Sequence, residues 1–366
     1  MKNKNINIIG GGCAALSLAR LSDHLPDYSF NIYSGDKSKV NDNHYWGFWK
    51  TNVNVDAYHH ADYTWSKWAI NTNISSHVLS SNKYPYCVIK RYKWLNYCKS
   101  EFKNSKIKIF DENIFEKNGE LFLNNKKITG DIILDSRPPD NLSNVLLQHF
   151  EGFVVTSKKD VFDKETVILM DFRCDQSKGM HFIYLLPFSK KQALVESTIF
   201  SKNIESKKFY SSEISKYLKK YFNLTQFTKS NFEKGVIPMH YVSSNSKGRY
   251  NIGTRGGAVR PSSGYAFTFI QKQVNQIIEQ ISKRNTIDTK IHKNIDLFLD
   301  KVFIDVLAKF PEIAPKIFTN FASSINGDEM AKFMSGNSSL VTTFKIILHM
   351  PKIPFIKSFF SVVTRQ

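Results

Sequence analysis

Two glycine-rich stretches and one glutamate carry most of the chemistry this sequence offers. The first stretch, Gly10-Gly11-Gly12-Cys13-Ala14-Ala15, follows the β-rich run from Ile6 to Ile9 and precedes Leu16, Leu18, Ala19 and Leu21 at helical spacing. Gly10-x-Gly12-x-x-Ala15 is the dinucleotide fingerprint with alanine at the third small position. Gly10 permits the tight turn, Gly12 lets backbone N–H groups approach a pyrophosphate, and Ala15 lets helix and strand pack closely. The helix dipole favours the anion. A second strand, Tyr28 to Tyr33, follows at the distance a βαβ unit requires. Ser34 sits where a ribose-binding carboxylate usually falls, and Asp36 comes two residues later, either reaching the ribose or serving the turn Ser34-Gly35-Asp36.

The second stretch runs from Gly253-Thr254-Arg255-Gly256-Gly257 to Pro261-Ser262-Ser263-Gly264-Tyr265. Ile270, Val274, Ile277, Ile278 and Ile281 fall on one face of a helix beyond it, with Ser262 or Ser263 as its cap. A strand, glycine turn and capped helix far downstream of a nucleotide turn form a two-part flavoprotein arrangement; the alternative is a plain loop before a helix. Glu196 ends the apolar run Ala193-Leu194-Val195 on a predicted strand, and taken alone it reads as a surface glutamate.

The elements that must position these residues come from a chain of 366 residues, enough for two domains or one core with a large inserted layer. Hydrophobic residues at 42% and aromatics at 14% exclude a disordered, charge-expanded chain. After Asn41 the sequence is dense in aromatics, including Tyr45, Trp46, Phe48, Trp49, Trp65 and Trp68. That density predicts a cap layer, as ordinary core or as a flat apolar binding surface. A β-rich stretch spans 106–135 with a turn at Asn118-Gly119, and strands dominate from Thr166 to Phe200.

Lys and Arg total 51 against 32 Asp and Glu, a formal charge of +19. Only nine of the cations are Arg, so the surplus is a diffuse lysine field rather than a bidentate phosphate reader. Such a field suits an anionic membrane surface or a nucleic-acid backbone, and charge alone does not separate them. A nucleic-acid module would bring Arg-rich clusters or aromatic stacking motifs, and the sequence has neither. Cys13, Cys87, Cys98 and Cys174 are isolated, without metal-ligand spacing, as expected in a reducing compartment. No apolar leader segment follows Met1, so a cytoplasmic location is expected. The greasy run from Ile346 to Val363 is broken by Lys352 and Lys357, and no run reaches the ~20 clean apolar residues of a membrane span.

Several motifs, in order along nearly the whole chain, resemble the bacterial FAD-dependent lycopene β-cyclases. They are Ile8-Ile9-Gly10-Gly11-Gly12, Asn43-His44-Tyr45-Trp46-Gly47-Phe48, Tyr86-Cys87-Val88-Ile89 before Arg91, and Ile132-Ile133-Leu134-Asp135. Leu194-Val195-Glu196-Ser197-Thr198, Gly235-Val236-Ile237-Pro238-Met239, Gly256 through Pro261 to Gly264-Tyr265, and the terminal Phe310-Pro311 and Pro351–Phe355 segments complete the set. The resemblance implies an α/β chain of flavin hydroxylase-like architecture: a Rossmann-like FAD-binding domain at 1–150 and 245–290, including an aromatic cap at 41–80. A β-rich substrate domain at 151–244 and a helical, membrane-facing region at 291–366 would complete it.

The implied activity is a non-redox cyclisation of lycopene through γ-carotene to β-carotene with reduced FAD, NAD(P)H serving only to reduce the flavin. Protonating an alkene needs a strong acid away from water, and the family's catalytic glutamate falls on Glu196. Ser197 stands where the family usually has a second acid, and its loss could shift the pKa of Glu196. Gly253, Thr254, Gly256, Gly257, Pro261 and Gly264 form the second flavin segment, with Thr254 or backbone groups left to meet the ribityl chain. Arg91 is placed for a flavin phosphate or the adenine, unless it is a surface arginine on a helix. A flavin monooxygenase or desaturase could use the same scaffold, and a non-catalytic carotenoid carrier would not need Glu196. A C40 hydrocarbon lives in a bilayer, so the lysines and greasy residues of 345–360 predict peripheral docking on the inner face of the cell membrane.

Overall fold

The computed structural model describes residues 4–35, 43–102, 106–139, 145–241 and 248–364. A five-stranded sheet has the order Arg249–Asn251, Ile132–Asp135, Lys4–Ile9, Tyr28–Tyr33, Ile107–Phe110, with every pair parallel. Ile6 and Ile8 of the central strand are fully buried, as a parallel strand covered on both faces requires. The chain leaves that strand through Gly10 and enters helix Cys13–Ala19. Helix Phe267–Ser282 packs against that helix, with Ile270, Val274, Ile277, Ile278 and Ile281 all buried. The Asn118-Gly119 turn joins strands Phe115–Lys117 and Glu120–Leu123, and both residues take positive φ.

A seven-stranded sheet has the order Thr228–Pro238, Leu147–Thr156, Gln192–Ser201, Met180–Pro187, Thr166–Asp171, Lys67–Asn71, Ser76–Ser80. Its pairs are antiparallel except Thr166–Asp171 with Lys67–Asn71. Because side chains alternate along a strand, its two faces serve different cores. Phe153, Val155, Leu185 and Val195 pack under helix Lys207–Phe222. Val154, Leu186, Leu194 and Phe200 face the opposite way, toward Trp49, Tyr86 and the C-terminal helices.

Two expected boundaries shift. The aromatic segment 41–80 is divided: Tyr45–Trp49 pairs with Tyr86–Lys90 in a small sheet, whereas Lys67–Asn71 and Ser76–Ser80 extend the seven-stranded sheet. Trp68 explains the division, since it is fully buried and its indole N–H points to Met330 Sδ at 3.1 Å, in a C-terminal helix. Strand Leu147–Thr156 likewise crosses the boundary placed at 150.

Five helices close the chain: Asn294–Lys309, Ala314–Ser324, Gly327–Met334, Leu340–His349 and Lys352–Val363. The last two meet at a 115° bend, and no single helix among the described residues is long and apolar enough to cross a membrane. Phe344, Leu348, Ile353, Ile356 and Phe360 on this pair are exposed.

Candidate active site and cofactor cleft

The first glycine turn is built to leave a space. Gly10 has φ +101°, and a Cβ there would lie 2.6 Å from Ser136 Oγ. A Cβ on Gly12 would meet nothing within 4 Å, so the N-terminus of helix Cys13–Ala19 opens onto free volume. Ala15 is fully buried in the core between helix and sheet. The second glycine turn docks on the first: a Cβ on Gly253 would lie 2.9 Å from Cβ of Ala14. Gln273 clamps it from below, accepting the Gly253 N–H at 2.7 Å and donating to the Gly256 carbonyl at 3.0 Å. Gly256 passes so close to Asn251 that a Cβ would lie 2.1 Å from its carbonyl oxygen, and Gly257 donates to the Thr254 carbonyl at 3.2 Å.

Other expected cofactor residues take varied places. Ser34 ends its strand beside the first turn and donates its hydroxyl to Asp111 Oδ1 at 2.6 Å, so a carboxylate reaches this position from the neighbouring strand end. Asp36 lies outside the described residues. Arg91 begins helix Arg91–Ser100 directly after strand Tyr86–Lys90, and its backbone N–H donates to the His44 carbonyl at 2.8 Å. Pro261 is buried, and a Cβ on Gly264 would lie 2.7 Å from Gln148 Oε1. The expected serine cap is not formed. Helix Phe267–Ser282 begins after Ala266, because Gly264 turns the chain at φ +65° and Ser262 donates instead to Asp300 Oδ1 at 2.7 Å. Ser263 Oγ and Gln148 Oε1 are buried and lack hydrogen-bond partners among the described residues, and both residues line the cavity beside this loop. Open volume at Gly12, a docked second glycine turn and these polar atoms fit a dinucleotide with an attached flavin.

The loop 260–265 forms one end of a cavity of about 980 Å³. Trp49, Tyr86, Tyr184, Phe182 and Phe200 line it, as do Phe318, Phe333, Ile347, Phe355 and Phe360 of the C-terminal helices. Its volume lies at the top of the range for small-molecule sites, and its lining is overwhelmingly apolar. Glu196 faces this cavity from strand Gln192–Ser201. It is buried, and among the described residues nothing hydrogen-bonds its carboxyl group. Burial, and then the nearby Glu233, push that carboxyl well above the usual carboxylate range. The cavity therefore favours the neutral carboxylic acid over the carboxylate at this position. Tyr184, opposite Glu196 on the next strand, shares a 2.8 Å hydroxyl–hydroxyl hydrogen bond with Tyr86, and burial raises both phenols.

Ser197 faces away. Strand alternation sends its hydroxyl to the other side of the sheet, 2.8 Å from His181 Nε2. Its side chain therefore does not enter the surroundings of the Glu196 carboxyl, and the like charge beside Glu196 comes from Glu233. Sequence reading also missed the buried pair Arg260–Asp300 at 3.3 Å, which ties the cofactor loop to helix Asn294–Lys309, and the contact of Arg260 with the Phe333 carbonyl at 2.6 Å. The one local signal was an arginine inside a glycine- and proline-rich loop.

Among solved structures the chain is similar to a geranylgeranyl bacteriochlorophyll reductase-like protein from Thermoplasma acidophilum, with 12% identity over 97% of this chain and 98% of that one, TM-score 0.61. A flavin-dependent brominase is 13% identical over 99% of this chain and 100% of its own, TM-score 0.61. A flavoprotein/dehydrogenase from Cytophaga hutchinsonii is 10% identical over 94% and 98%, TM-score 0.58. No curated protein sequence matches the chain significantly. These likenesses define the class: an α/β flavoprotein fold of the hydroxylase type, with C-terminal helices. Within that class, residues 5–359 match the lycopene cyclase protein family, and the chain belongs to it.

Proposed function

We propose that this enzyme converts lycopene through γ-carotene to β-carotene by acid-catalysed, non-redox cyclisation, with Glu196 as the proton donor. One observation carries the reading: a buried carboxyl group, in surroundings that favour its neutral form, faces a large apolar cavity. The Glu196 proton passes to the terminal double bond of the polyene, and the resulting carbocation closes a six-membered ring. Loss of a ring proton restores a double bond, so the formula is unchanged. An apolar cavity excludes the water that would trap the cation. Trp49, Tyr86 and Tyr184 line the same space, where an aromatic face turned to a cation stabilises it by roughly 0.5–2 kcal/mol.

FAD would be held by Gly10, Gly12 and Arg91 at its phosphates and by Gly253–Gly257 and Pro261–Gly264 nearer the ring. When bound and reduced by NAD(P)H, it supplies negative charge over a delocalised ring. The polyene would enter between the terminal helices from an anionic membrane surface, with the enzyme peripheral on the cytoplasmic face. In support, residues of those helices both line the cavity and expose apolar side chains. The test supplies lycopene in anionic liposomes with FAD and NADPH under anaerobic conditions to wild-type and Glu196→Gln enzyme. Cyclised pigment from the wild type alone is expected. A flavin-loaded Glu196→Gln enzyme with full activity would refute the acid assignment.

A further inference from the structure

The proposed acid stands beside a second carboxylate that the proposed reaction leaves unused. Glu196 and Glu233 lie on strands flanking Leu147–Thr156, and both are paired with Gly152 between them. A Cβ on Gly152 would lie 2.5 Å from Cγ of Glu196, so the glutamate leans over the glycine along the row that ends at Glu233. The two carboxyls are not equivalent. Glu233 is 3% exposed and accepts the Tyr45 N–H at 3.2 and 3.4 Å, and its Oε2 lies 3.1 Å from His44 Nδ1. Glu196 has no such donors among the described residues. Hydrogen-bond donors favour the charged carboxylate, and a dry apolar wall favours the protonated acid.

Resting on the reading of Glu196 as the acid, we infer that Glu233, anchored by His44 and the Tyr45 amide, is a positioning residue that keeps the catalytic proton on Glu196. A like charge along the same row of a dry site disfavours ionisation of Glu196. The upward push on Glu196 has burial as its first cause and Glu233 as its second. Other titratable groups face the same space. Tyr184 comes from the adjacent strand, Tyr86 from the small sheet, and Tyr265 from the cofactor loop. Burial keeps all three phenols neutral. Arg260 and Asp300 across the cavity neutralise one another, and Asp296 and Lys352 also line it. His44 is partly exposed, so the His44–Glu233 contact reaches solvent.

The test follows the carbonyl band of the Glu196 carboxylic acid by infrared difference spectroscopy, with Glu196→Gln protein assigning the band. In the wild-type chain the band is expected to persist through neutral pH. Glu233→Gln should lower its titration midpoint by about one pH unit or more, a tenfold change in proton affinity. Glu233→Asp keeps the carboxyl group and should stay within about half a unit of wild type. An unchanged midpoint in Glu233→Gln overturns the inference, as does an equal fall in both variants. If Glu233→Gln fails to fold, Glu233→Asn is read in its place: a fall of about one unit or more supports the coupling and an unchanged midpoint overturns it. The readout needs neither flavin nor polyene, so a chain that passes it yet forms no ring overturns the cyclase reading and leaves the coupling standing.

Discussion

At the scale of single residues, the account turns on a proton held by burial. Folding raises the Glu196 carboxyl above its ordinary value of 4.5 and so favours the neutral form. Its contribution to stability is complete below that value and shrinks as pH rises toward the folded pKa. Glu196→Gln should therefore melt at a higher temperature than wild type at neutral pH, with the difference gone near pH ~4, while cyclisation falls roughly 10²–10⁴-fold. Calorimetry across pH and a pigment assay check the two halves. Gly152→Ala places a Cβ 2.5 Å from Cγ of Glu196 and 2.6 Å from the Val195 carbonyl. It should destabilise by about 1–3 kcal/mol in urea unfolding and displace the acid. Glu196 was legible from its place in Leu194-Val195-Glu196-Ser197-Thr198. Gly152 and Glu233 were not, because only the pairing of three strands distant in sequence brings them to it.

At the scale of elements, the two glycine turns divide folding from binding. Gly12 has ordinary φ and open space around its Cβ direction, so Gly12→Val should leave flavin-free stability within about 0.5 kcal/mol while weakening FAD binding at least about tenfold. Flavin fluorescence titration beside thermal melts measures both. Asp300→Ala strands Arg260 in a site where both side chains are buried, and should lower stability by about 3–5 kcal/mol in urea unfolding. The first turn and the buried face of helix Phe267–Ser282 were readable, since strand, small residues and helical periodicity are local signals. The start of that helix was misplaced because Ser262 is committed to Asp300, a partner no local pattern reveals. The aromatic segment was misassigned for a similar reason: Trp68 is core, but to the C-terminal helices rather than the nucleotide sheet.

At the scale of the whole molecule, one cavity joins the cofactor loop, the acid and the surface of the terminal helices. The composition of 345–360 pointed to an interface, but that these helices also line the cavity that Glu196 faces follows only from packing. Replacing exposed Phe344 and Phe360 with Asp should leave the fold intact and weaken binding to anionic liposomes several-fold, as added salt should also do. Co-sedimentation measures it. The central claim is chemical: rings form by proton transfer without net oxidation or reduction. The most direct test counts NADPH oxidised per ring formed under anaerobic turnover of lycopene. The account predicts cyclic products of unchanged mass with NADPH consumption far below one per ring; stoichiometric consumption, or no rings from folded, flavin-loaded enzyme, would contradict it.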